Sequence, residues 1–189
     1  MLFITALIIF FAAHVIPLNQ KFRTLATDKL GEKPYIGLFV LIILGSIVMM
    51  VQGWNNFPNV YFYEPPTLLK QVHLALMLPV VYLWVAAEVP NNLKRFIKHP
   101  MLTGMKLWAL GHVIANGDLR SMLLFISILI FSIIAVIVVN KREECKEVKS
   151  TPIVYDIGVI AVSLISYSAM VYFHSNLFGM SVMPYFTLG

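Results

Sequence analysis

The sequence predicts an all-α polytopic transmembrane helical bundle of about six spans with both termini periplasmic, and three observations carry that prediction. Of the 189 residues, 59% are hydrophobic and 12% are charged, about half the charged share of a soluble globular domain. The apolar residues fall into six runs of near membrane-crossing length, separated by short polar loops. Lysine and arginine are concentrated in alternate loops, the asymmetry produced when positive charge is retained on the cytoplasmic side.

A helix rises about 1.5 Å per residue, so roughly 20 apolar residues cross roughly 30 Å of hydrocarbon. The first run, Leu2 to Leu18, has no basic residue ahead of it and no small-x-small cleavage site, and it reads as a retained span rather than a signal peptide. A loop carrying Lys21, Arg23, Lys29 and Lys33 leads to the second run, Tyr35 to Gln52. The third, Leu68 to Val89, contains Pro79, which removes a backbone donor and predicts a kink. Lys94, Arg95 and Lys98 follow it. The fourth, Met101 to Ala115, is short and carries Lys106, so its burial depends on its neighbours. Asn116-Gly117-Asp118 reads as a tight turn in which the Asp118 carboxylate caps the fifth run, Leu119 to Val139. Lys141, Arg142, Lys146 and Lys149 then precede the sixth, Ile153 to Phe173. The loop from Gly53 to Thr67 and the tail after Phe173 contain no lysine or arginine. This places the chain, as a single domain over residues 1–189, in a membrane.

The net charge of +5 is dealt out in loops, which argues for topology signals and against a nucleic-acid partner. A lone Cys145 excludes a disulfide framework or a thiolate cluster within one chain. The ten methionines are scattered, as packing residues are. Trp54, Trp84, Tyr61, Tyr63 and Tyr185 fall near predicted interfaces, where amphipathic rings form a belt.

Ionisable groups within spans are costly and mark candidate sites. By depth along the runs, His14 and His112 lie in the cytoplasmic half and His99 at the cytoplasmic interface, with His73 and His174 near the outer one. The count therefore pairs His14 with His112, and leaves His73 and His174 to each other. Positions three and four from His112 include Trp108, Ala109, Ala115 and Asn116, with Gly111 adjacent, which suggests a cleft of small residues beside an indole. Two imidazoles on separate helices in such surroundings suit a flat apolar macrocycle held by axial nitrogens. The competing reading is interhelical hydrogen bonding. No carboxylate sits near mid-membrane to favour a hard divalent ion.

The stretch "HPMLTGMKLWALGHVIANGD", together with "FAAH" in the first run, "LGEKPYIGLF" and the terminal His174, Gly179, Ser181 and Pro184, resembles the NnrU family of bacterial inner-membrane proteins. The resemblance implies a link to nitrite and nitric oxide metabolism in denitrifiers. The same superfamily contains the plastid 15-cis-zeta-carotene isomerase, a b-type haem protein, to which the first-run histidine and the "HP…W…H" helix are similar. That likeness implies haem b with His14 and His112 as axial ligands, Trp108 alongside, and redox-dependent cis-trans isomerisation of an apolar polyene, or handling of nitric oxide as ligand. Ala109 stands where the isomerase has a cysteine, so an exchange of His for Cys has no counterpart here. Haem propionates need cationic or interfacial partners, and Arg23, Lys98, His99 and Lys106 are the candidates on the cytoplasmic side. A second likeness is to S-adenosylmethionine-dependent membrane methyltransferases, through "KHPMLTG" and Glu143-Glu144. A non-catalytic sensor or accessory protein for denitrification is the third alternative. Membrane lipid is the other expected partner.

Overall fold

The computed structural model describes residues 1–142 and 149–186. All six apolar runs are helices: α1 (Leu2–Val15), α3 (Glu32–Trp54), α4 (Thr67–Glu88), α5 (Pro100–Ala115), α6 (Leu119–Arg142) and α7 (Ile153–Phe178). Between α1 and α3 lies a helix that the charge pattern had marked only as a loop, α2 (Gln20–Leu30). Its start is fixed by Asn19, whose side chain accepts from the Lys21 and Phe22 amides, and its end by Gly31 at φ 83°. The described residues contain no β-strand, so the all-α class holds. Glu143, Glu144, Cys145 and Lys146 lie outside the described residues.

Four helices, α3, α4, α6 and α7, are long and apolar enough to cross a membrane, and α1 joined to α2 through a 95° bend makes a fifth candidate. The sixth expected span falls short for a simple reason. The 16 residues of α5 reach about 24 Å, less than the hydrocarbon thickness. Only 6% of the apolar window of α3 is buried within the protein, and so much apolar surface turned outward identifies a membrane protein.

The helices pack side by side in the order α3, α1, α6, α5, α4, α7. The short α5 is thus sheltered between α4 and α6, as its length demands. Its approach to α4 depends on small residues: a Cβ on Gly104 would lie 2.7 Å from the Trp84 ring, and one on Gly111 2.7 Å from His73 Nδ1. Trp84 also faces Trp108 at 6.0 Å between ring centroids, so it is a packing residue between α4 and α5 rather than a belt residue. At the far end of α1, Gly53 lets the Phe3 backbone approach α3, and Phe3 itself meets Trp54 edge-on at 5.4 Å.

Polar clasps close both ends. At one end, the Phe62 amide donates to the Gly117 carbonyl and the Leu119 amide to the Val60 carbonyl, which pins the α3–α4 loop across the α5–α6 turn. The Tyr63 hydroxyl donates to the carbonyls of Val113 and Ile114, two of the helix-end acceptors that α5 leaves without an internal partner. Asp118 accepts from the Ser121 amide at 3.1 Å, which is the expected cap of α6. On the opposite side, Asp156 accepts from the backbone and side chain of Asn92, whose amide oxygen accepts in turn from the Thr151 backbone. This ties the α4–α5 connection to the start of α7.

Candidate functional site

The histidines meet differently from the depth count. His112 and His73 are in contact, with ring centroids 4.4 Å apart and planes at 77°. His112 lies three residues from the C-terminal end of the short α5, and His73 six residues into α4, so both sit at the end of the bundle that carries the α3–α4 loop and the α5–α6 turn. The count measured His112 from one end of α5, and in a helix of 16 residues that depth already lies near the other end. His112 also stacks on Phe125 of α6 at 4.3 Å and lies 4.9 Å from the Trp108 ring. The cleft expected around Gly111 is filled by His73 and Met77.

His14 belongs to another environment. Its ring neighbours are Phe10, Phe39 and Phe131, from α1, α3 and α6. Phe131 is six residues beyond Phe125 along α6, or about 9 Å. Packed side chains run from one histidine to the other: Phe131 meets Phe11, and Phe11 packs on the buried cluster of Ala109, Phe125 and Ile128. A macrocycle shared by His14 and His112 requires these rings to move.

The open space at His112 lies at the same end of the bundle as the α5–α6 turn. A cavity of about 510 Å³ is lined by His73, His112 and His174 together with Lys70, Glu64 and Tyr185, and by the α5–α6 turn. Its volume is within the range of small-molecule and cofactor pockets, roughly 300–1,000 Å³. Three imidazoles thus face one cavity. His112 Nδ1 is 2.9 Å from the Trp108 carbonyl, and His174 Nδ1 is 2.7 Å from the Met180 carbonyl. A carbonyl only accepts, so each Nδ1 donates, and in the neutral ring each Nε2 keeps its lone pair. His14 has the same arrangement through Phe10, at 2.8 Å. His73 Nδ1 is buried and has no hydrogen-bond partner among the described residues. Such an orphan costs about 1–3 kcal/mol unless a ligand satisfies it.

Among the described residues no group of three or more His, Cys, Asp or Glu converges tightly enough to hold a metal ion by itself. A haem makes a smaller demand, because the porphyrin supplies four nitrogens and the protein one or two. The residues lining the cavity fit such a group in ligand chemistry and volume, and Lys70 is the cation suited to a carboxylate there. Its ammonium lies 5.2 Å from the Tyr185 ring centroid.

The cytoplasmic candidates lie elsewhere. His99, the residue before α5, is 13 positions from His112, or about 20 Å along the helix. Its Nε2 is 2.9 Å from the Asn140 side-chain oxygen on the last turns of α6. Lys98 neighbours it, Lys106 is half-buried on α5, and Arg23 is exposed on α2. None of these four lines the cavity. The sequence reading missed His73 as a partner of His112 and missed Lys70. The available signal was Gly104 and Gly111, seven residues apart on one face of α5, which announces a close neighbour on that face.

A family model described as NnrU protein matches residues 2–182, nearly the whole chain. No curated protein and no solved structure matches it significantly.

Proposed function

The chain belongs to the NnrU family, and from that premise we propose that it is a six-span protein of the bacterial inner membrane, both termini periplasmic, that binds one haem b in the outer cavity. The proposal extends to service in nitrite and nitric oxide metabolism, which the family resemblance suggests. The observation that carries the haem reading is that His112 and His174, on two different helices, line one cavity of cofactor size while their Nδ1 atoms are engaged by backbone carbonyls. His112 and His174 would hold the iron, and Lys70 would pair with a propionate. Bound haem supplies a redox-active iron, the chemistry needed for nitric oxide handling or for a redox-dependent isomerisation of an apolar polyene. The protein's own part is to fix the imidazole tautomers through backbone carbonyls and to exclude water with Tyr61, the α5–α6 turn and Met180, Val182 and Tyr185.

The test is the visible spectrum and haem content of the purified protein and three variants. A Soret band is expected, weakened or lost in His112→Ala and in His174→Ala and retained in His14→Ala. Loss in His14→Ala with full retention in His174→Ala restores the His14 and His112 pair. A colourless protein after haem supplementation ends the haem reading.

A second reading is favoured by one contact. His99 bonds Asn140, so the "KHPMLTG" element and the end of α6 do meet, as a methyl-transfer site at the cytoplasmic end requires. Calorimetry with S-adenosylmethionine decides: we expect no stoichiometric binding, and a stoichiometric isotherm would replace the haem proposal by methyl transfer.

A further inference from the structure

α2 leaves α1 through a 3-10 turn (Ile16–Leu18) and lies at 95° to it. If α1 runs through the bilayer, α2 runs along its surface. The sequence of α2 is built for that position. At 100° per residue, Phe22, Leu25, Ala26 and Leu30 occupy one arc of about 140°, with Lys29 inside it, while Lys21 and Arg23 flank it at about 100° on either side of Phe22. Gln20, Thr24, Thr27 and Asp28 take the opposite face. The apolar arc is not absorbed by the bundle: Phe22 is 47% exposed, Leu25 55% and Leu30 51%. Only Ala26 and Thr27 of this helix are half-buried, on the side toward α3. The Thr27 hydroxyl turns back onto the carbonyls of its own helix.

We infer that α2 is an interfacial helix that seats Phe22, Leu25 and Leu30 among the acyl chains and holds acidic phospholipid headgroups with Lys21, Arg23 and Lys29. The arrangement favours acidic over zwitterionic lipid through charge complementarity. Cations at both edges of the apolar arc reach the phosphate level when the arc is buried, and the Lys29 stem snorkels from within it. Asp28, at about 120° from Phe22, lies just beyond Lys21 on the wheel, and the three cations still leave the helix with a net positive charge. The inference rests on α1 crossing the membrane, and not on the haem reading or on which leaflet α2 meets.

The experiment uses the full chain with Cys145→Ser, reconstituted in phosphatidylcholine vesicles containing about one third phosphatidylglycerol. A bimane label at Phe22→Cys reports α2, and the same label at Ile8→Cys, on the exposed face of α1, reports whether α1 spans. Quenching is compared with the bromines carried on phosphatidylglycerol or on an equal fraction of phosphatidylcholine. We expect both labels to be quenched, and the Phe22 label to be quenched several-fold better by brominated phosphatidylglycerol. The preference falls with each cation removed at low salt, as in Lys21→Gln or Arg23→Gln, and disappears in the triple variant that adds Lys29→Gln or at high salt. A Phe22 label in water beside a quenched Ile8 label overturns the interfacial placement. Equal quenching by both lipids overturns the headgroup assignment. An unquenched Ile8 label overturns the span on which both rest.

Discussion

Gly111→Ala and Gly37→Ala are the same chemical change on two helices, and their difference measures the contact that brings His73 to His112. A Cβ at Gly111 lies 2.7 Å from His73 Nδ1, 2.9 Å from the Met77 methyl and 3.3 Å from Leu76. Ordinary heavy-atom contacts sit at about 3.5–4.0 Å, so α4 and α5 must part by the better part of an ångström or the His73 ring must turn. Met77 can yield, but His73 is held edge-on against His112. Overpacking of this kind costs about 1–3 kcal/mol. At Gly37 on α3 nothing lies within 4 Å of the added methyl, and the helix gains about 0.5–1 kcal/mol from the loss of glycine freedom. That gain is common to both variants and cancels in their difference. For a chain of this size about 1–3 kcal/mol corresponds to roughly 2–12 °C. Thermal melts in one detergent are therefore expected to place Gly111→Ala below Gly37→Ala by an amount in that range, with Gly37→Ala at or above the parent. Coincident melts of the two variants would refute the close approach of α4 and α5, and with it the His73–His112 contact.

Tyr63→Phe removes the hydroxyl that caps α5; a loss of about 1 kcal/mol is expected, with faster hydrogen exchange in residues 60–63 and 113–117 as its local signature. Partial burial holds the Tyr63 phenol above its ordinary value of 10, so the donor stays protonated throughout the neutral range, and the protection of these amides relative to their intrinsic exchange rates is expected to stay constant between pH 6 and about 9. Asp118→Ala is expected to destabilise α6 by about 1 kcal/mol, and Asp118→Asn by much less, because asparagine caps nearly as well; equal losses would remove the cap from the explanation. Asp156→Ala leaves the half-buried Asn92 clasp without its acceptor, at about 1.5–3 kcal/mol for a charge-assisted pair, detectable as protease sensitivity between residues 89 and 99. Cysteine labelling is expected to find Lys98→Cys on the cytoplasmic side and Val60→Cys on the periplasmic side; the reverse would overturn the topology.

Much of the architecture was determined by sequence alone, because it follows from quantities that add up along the chain. Every apolar run became a helix, since in hydrocarbon a backbone must satisfy its own hydrogen bonds. The Asp118 cap was legible for the same kind of reason: a carboxylate before an apolar run has free amides within reach. The helix α2 was legible too, in Asn19, Gly31 and the 3.6-residue period of Phe22, Leu25 and Ala26, although its cations drew the reading toward topology. What tertiary structure decided is which helices are neighbours. Depth arithmetic ranks residues along one axis and carries no information about the order of helices around it. His14 and His112 were assigned similar depth, yet α6 stands between α1 and α5, and Phe11, Phe125 and Phe131 fill the space. His73 came to His112 because two glycines, 104 and 111, share a face of α5 and let α4 close on it. The cavity beside His112 owes its existence to α5 being shorter than its neighbours and to the α3–α4 loop folding across its end. Chain order contains the ingredients of that pocket, but residues as distant as Lys70, His112 and Tyr185 meet only when the order of the helices is known.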